Sequence, residues 1–257
     1  MITLSLVGAG TPPLVQIVLS ETPAGASWVL TGVADGYAWT VPGGMGVGDG
    51  EQLVLVDNRA PLNTPIEYTL TWDASHETSS AIVVPMAVGD MVIQSLDGQK
   101  SVAVALMDGT QALTLDPALS LFSVPGRRMP VSRYSATSAP RGTIIARADV
   151  SQTADIDEIL ATGEAVLCRL NGPAFELPLV QTVHLTNASA VGYLVGMFRH
   201  WEWPYVPVDD PFMDQRLGAF SWNTFDDAMA GRSWDEFDTV MSGLDWDAFD
   251  TFDWTTL

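Results

Sequence analysis

With 257 residues and 27.6 kDa, the chain has room for one large domain, or two smaller ones and a tail, and for a sizeable buried core. Hydrophobic residues at 47% and charged residues at 16% exclude a disordered polyelectrolyte. Eleven basic against 31 acidic residues, a net charge of −20 with Lys100 the sole lysine, argue against a nucleic acid or an anionic membrane surface as partner, since a polyanion repels phosphate.

The chain opens Met1-Ile-Thr-Leu-Ser-Leu6, with no basic residues ahead of the apolar ones. No stretch approaches the roughly 20 apolar residues that a membrane helix needs, so a soluble protein without a cleaved secretion signal is expected. Residues 1–85 read as all-β. Ile66, Tyr68, Leu70 and Trp72 alternate with Glu67, Thr69, Thr71 and Asp73, which places four large apolar side chains on one sheet face. Further strands are predicted over Thr3–Val7, Leu14–Leu19, Trp28–Val33 and Gln52–Val56. The glycine-dense run Gly43–Gly50 fits no phosphate-binding register and is expected to be a flexible loop. Short strands at this spacing, with Tyr68 and Trp72 late and no cysteine pair, resemble a fibronectin type III or related immunoglobulin-like β-sandwich module.

Residues 86–211 read as a second β-rich part. Met91–Ser95, Ser101–Met107 and Ala112–Leu115 are predicted strands, joined at Asp97-Gly98 and Asp108-Gly109, dipeptides suited to hairpin turns. A strand–helix–strand unit follows: Thr143–Ala148, a helix over Asp155–Ala161 with Glu158 in a capping-box position and Gly163 stopping it, then Ala165–Leu170. Cys168 is expected to be a small core side chain. Gln181–Leu185 and Val191–Phe198 complete this part, with His184 on the face opposite Val183. Trp201–Tyr205 and Pro207–Pro211 then read as proline-rich exit material.

Residues 212–257 contain a repeat of period twelve: Trp222, Trp234 and Trp246; Phe225, Phe237 and Phe249; Asp226, Asp238 and Asp250; and, in two copies, Met229 and Met241. Within a copy, Trp, Phe and Met fall at i, i+3 and i+7, one stripe of a helix, and Ser221, Ser233 and Asp245 stand as N-caps. Ser233 and Glu236 form a capping-box pair. Twelve residues at about 100° each overshoot whole turns by about 120°, so separate short helices are predicted. Helices of that length are marginal alone in water and must rest on their own body or on a neighbouring subunit.

Chemistry-bearing patterns are sparse. His76, His184 and His200 have no spacing that suits a zinc site, Asp245-Trp-Asp247 lacks the rest of a calcium loop, and no nucleophile elbow occurs. No metal, no cofactor and no enzymatic activity is therefore expected. One basic cluster breaks the acidic pattern: Arg127, Arg128, Arg133, Arg141 and Arg147 put five of eleven cations within twenty-one residues. These arginines either dock an acidic surface of another subunit or neutralise acids of their own chain.

The order Pro125-Gly-Arg-Arg-Met-Pro-Val131, Arg141-Gly-Thr-Ile-Ile-Ala146, the helix ending Ala161-Thr-Gly163 and Ala165-Val-Leu-Cys-Arg169 resembles minor tail proteins of tailed bacteriophages that infect actinobacteria. Trp201–Pro211 is similar to that group's exit motif, and the Trp-x-x-hydrophobic segments Trp222–Phe225, Trp234–Phe237 and Trp246–Phe249 to its tandem C-terminal ones. The repeats depart from the group's pattern in being acidic, and the third is incomplete. The resemblance implies a mainly β virion component made in the host cytoplasm. It would comprise a front sandwich (1–85), a second sandwich with one short helix like that of tail-tube and distal tail proteins (86–211) and short helical repeats (212–257). It further implies a subunit near the tail tip, partnered by other tail proteins, in a homo-oligomeric ring that is often sixfold. Trp222, Phe225, Met229, Trp234, Phe237, Met241, Trp246 and Phe249 would bind the neighbour, with Arg127, Arg128, Arg133 and Arg141. The competing expectation is a carbohydrate- or receptor-binding module, for which Trp201, Trp203 and Tyr205 would be the stacking platforms.

Overall fold

Alternating strands dominate from the first residues onward. The computed structural model describes residues 1–8, 12–114, 119–123, 129, 131–134, 140–172, 176–186, 189–191, 198–211, 213 and 228–242. The chain is mainly β, and its first strands are β1 (Ile2–Val7), β2 (Leu14–Leu19), β3 (Ser27–Ala34), β4 (Tyr37–Val47), β5 (Leu53–Asp57), β6 (Pro65–Trp72), β7 (Ser75–Thr78) and β8 (Ile82–Val83). They form an antiparallel β1-β2-β5 sheet and a second antiparallel sheet, β4-β3-β6-β7, in which β8 also pairs β6. Ile17, Leu19 and Leu55 of the first sheet share one buried cluster with Trp28, Leu30, Ile66, Tyr68 and Leu70 of the second. Trp72, the last of the alternating set, packs against that cluster half-buried.

The segment expected to be a glycine loop is largely strand. Asp35 and Gly36, both at positive φ (45° and 78°), make the two-residue turn that sends β3 into β4. Val29 pairs Met45 and Thr31 pairs Thr40, so residues 41–44 bulge opposite Leu30. At Gly44 a Cβ would lie 2.7 Å from the Val41 carbonyl oxygen, so glycine is what permits the bulge. The composition looked like a loop because Pro42, Gly43, Gly44 and Gly46 depress strand propensity, whereas close backbone approach at the bulge demands glycine at position 44.

The second part comprises β9 (Met91–Ser95), β10 (Ser101–Leu106), β11 (Gln111–Thr114), β12 (Leu119–Phe122), β13 (Val131–Tyr134), β14 (Arg141–Asp149), a 3-10 turn over Val150–Gln152, α1 (Thr153–Ala161), β15 (Val166–Leu170), β16 (Val180–Leu185), β17 (Ser189–Val191) and β18 (Phe198–Pro207). Six antiparallel strands close in the order β14-β10-β9-β15-β16-β18, with β18 returning to β14. The result is a six-stranded barrel, not the expected second sandwich. The difference lies in β18: Trp201-Glu-Trp-Pro-Tyr205 is its middle and no exit segment. Pro204 is tolerated because its carbonyl accepts from the Thr186 N–H, so its missing N–H faces the same edge, between the stretches paired with β17 and β16 and away from β14.

Inward positions fill the barrel with Ile93, Val104, Ile144, Cys168, Val183, Trp201, Trp203 and Tyr205, and α1 adds Ile156 and Ile159 to this core. His184 is exposed beside buried Val183, as alternation predicts. Gly163 at φ 67° ends the helix region. The capping box sits earlier than expected: Asp149 and Gln152 form it, while Glu158 instead pairs with Lys100. Nor does Asp108-Gly109 turn a hairpin, since β10 and β11 both pair β14 and Gly109 merely kinks the path between them.

Candidate functional site

Two exposed features and one buried one bear on function. The first is the repeat region, where Ser233 caps a second helix, α2 (Trp234–Val240): its hydroxyl accepts from the Glu236 N–H while the Glu236 carboxylate accepts from the Ser233 N–H. These hydrogen bonds hold the Glu236 carboxyl below its usual range. No residue of α2 is buried. Trp234 is 72% exposed, and its ring meets Phe237 edge-on with centroids 5.5 Å apart. Phe237, Met229 and Met241 are half-buried. Of the other stripe residues, Trp222, Phe225, Trp246 and Phe249 lie outside the described residues.

The second feature is the arginine cluster. Among the described residues β12 and β13 pair only with each other, as a two-stranded ribbon outside the three larger sheets. Arg133 stands on β13 across from Ser120, and Arg127 and Arg128, in the connection between the two strands, lie outside the described residues. Met129 in that connection is 73% exposed. Arg141 is exposed at the start of β14, and the Arg147 guanidinium lies 4.7 Å over the Phe198 ring, so the cluster is spread over ribbon and barrel.

The third feature, which sequence reasoning missed, is a buried polar seam between the front sheets and the barrel. At the end of β5, Asp57 is fully buried and accepts from Trp39 Nε1 (2.9 Å), Tyr68 Oη (2.7 Å) and the Arg59 N–H (2.7 Å). Burial first, and then the Asp57 charge, push the Tyr68 hydroxyl well above its usual pKa. Arg169 on β15 is fully buried too; its Nε and Nη2 donate to the Ala60 carbonyl at 2.9 and 2.5 Å. Burial pulls its guanidinium down to about 10 and Asp57 opposes the shift, so Arg169 stays a cation at neutral pH. Arg59 donates from Nη1 to the Leu96 carbonyl and to Asn58, and its Nε pairs with Asp210 at 2.7 Å. With side chains 5% and 9% exposed, that ion pair is buried. The Gly43 N–H donates to the Met213 carbonyl, a second tie between the front sheets and the chain beyond β18. Charged residues directly after an apolar strand, as in Leu53–Arg59, usually mark a solvated turn, which is why the seam left no sequence signal.

The proposed stacking platforms are corrected by burial: Trp201, Trp203 and Tyr205 point into the barrel core, so no sugar ring can lie on them. Cys168 is buried in the same core, and desolvation pushes its thiol up to about 12, away from nucleophilic use. Among the described residues no group of three or more His, Cys, Asp or Glu side chains is placed to hold a metal ion, and no helix is long and apolar enough to cross a membrane. No protein-family model matches this chain, and no curated protein sequence matches it significantly.

Proposed function

We propose that the chain is a structural subunit of a phage tail tip, set between the tail tube and the host-binding apparatus and joined to its neighbours through the C-terminal aromatic stripe. The sequence likeness to actinobacteriophage minor tail proteins motivates this reading, and the front sheets with their common core suit the immunoglobulin-like sandwich it implies. One observation carries it. Helix α2 is held by a complete capping box yet buries none of its own residues, leaving Trp234 facing water. A seven-residue helix has too few hydrogen bonds to offset nucleation alone, so its apolar side needs a surface supplied from elsewhere. Tryptophan and phenylalanine are the side chains that contribute most when an interface closes over them.

Deleting residues 216–257 tests this directly. The truncated protein is expected to keep its far-UV and near-UV circular dichroism, because neither β core includes a residue of that segment among the described residues, and to lose assembly by light scattering and incorporation into tails. An unchanged assembly state would reject the reading.

A further inference from the structure

Two asparagines fasten the front sheets to the barrel where the chain passes from one to the other. Asn63 stands in the left-handed region at φ 52°, and its carboxamide pairs with Met86 as a strand neighbour would: Oδ1 accepts from the Met86 N–H (2.9 Å) and Nδ2 donates to the Met86 carbonyl (2.7 Å). Asn63 Nδ2 also donates to Asn171 Oδ1. Asn171 directly follows β15; its Nδ2 donates to the Gly89 carbonyl at 2.9 Å and its backbone N–H to the Asp90 carbonyl at 2.8 Å. Residues 86–90 are thus held from both sides by neutral amides.

One of these amides is open to chemistry. Asn171-Gly172 is the only Asn-Gly step among the five asparagines of the chain. Glycine leaves its peptide nitrogen accessible to the preceding carboxamide, because it has no Cβ to block the approach. Gly172 lies at φ 120°, a Cβ there would meet nothing within 4 Å, and among the described residues its N–H has no acceptor. Both residues are half-buried, so water reaches them. The Asn63 donor sits on the oxygen where negative charge develops when the Asn171 carboxamide carbon is attacked.

We propose that Asn171 is a site of spontaneous deamidation and that its conversion loosens the joint between the two β parts. The Gly172 nitrogen, its proton taken by hydroxide, bonds to Asn171 Cγ; the Cγ–Nδ2 bond breaks, and Nδ2 leaves as ammonia with a proton from water. Water then opens the cyclic imide at either carbonyl to give aspartate or isoaspartate, with no oxidant or reductant consumed. The new carboxylate cannot donate, so it meets the Gly89 carbonyl as a second acceptor where the amide N–H had bonded. Isoaspartate also adds a methylene to the backbone directly after β15.

The test ages the full-length protein in warm, mildly alkaline buffer, separates the acidic form by anion exchange and maps it by peptide mass spectrometry with electron-transfer fragmentation. Asn171 is expected to convert ahead of the other four asparagines, to a mixture of aspartate and isoaspartate, at a rate that rises with hydroxide. The purified acidic form, and Asn171→Asp made directly, are each expected to melt about 2–4 °C below the fresh protein. An Asn171 that stays intact in the folded protein while the urea-unfolded chain converts overturns the proposal, and so does earlier conversion at another asparagine. Converted protein that melts with the fresh sample overturns the loosening of the joint.

Discussion

Arg59 has its Nη2 without a hydrogen-bond partner among the described residues, yet its Nε sits 2.7 Å from Asp210 with both side chains nearly out of water. A buried pair of this kind contributes little net stability relative to apolar side chains, because desolvation offsets attraction, but removing one partner strands the other charge. Arg59→Met is therefore expected to cost about 3–5 kcal/mol in urea denaturation, and Arg59→Met/Asp210→Leu to return most of that loss. Equal destabilisation by the single and double variants would contradict the account. Asp57 solves the same problem differently. Among the described residues it makes no ion pair, but three donors, Trp39, Tyr68 and the Arg59 N–H, replace its hydration shell, and the Arg169 cation acts on it from further away.

At the scale of elements, strands with clean alternation were legible and strands built on special residues were not. Leu14–Leu19 and Met91–Ser95 were predictable to the residue because short segments rich in Val, Ile, Leu or Met between turn signals fit little else. β4 was hidden by its glycines and β18 by its prolines, since local propensity there yields to tertiary pairing. The Ser233–Glu236 cap of α2 could be read from four letters because it is wholly local. Its exposure could not, and neither could the seam, which joins residues as far apart as Arg59 and Asp210. Gly32 shows how tightly such pairing constrains an element. It sits opposite Trp39, and a Cβ there would lie 2.4 Å from the indole ring. Gly32→Ala is expected to push Trp39 off its bond to Asp57, destabilise the protein by about 1–3 kcal/mol and shift tryptophan emission to the red. Wild-type stability and emission in that variant would show that the ring has room to give.

For the molecule as a whole, the decisive contacts are those that join the two β parts. Arg169 of the barrel binds the Ala60 carbonyl, Asn58 and Arg59 bind the Leu96 carbonyl, and Val92 belongs to the front core. Neither part can therefore open without exposing buried charge of the other. Calorimetry is expected to give one transition whose van't Hoff and calorimetric enthalpies agree, and two resolved peaks in the wild-type protein would refute this coupling.

The placement of Asp210 and Met213 has a mechanical consequence. Both lie just beyond β18, on the only covalent path from the barrel to the aromatic repeats, and both are tied to the front sheets through Arg59 and Gly43. A pull applied to the C-terminus meets these ties before it reaches β18. Tension is diverted into two anchors on a different sheet, and the last barrel strand is spared from being peeled away.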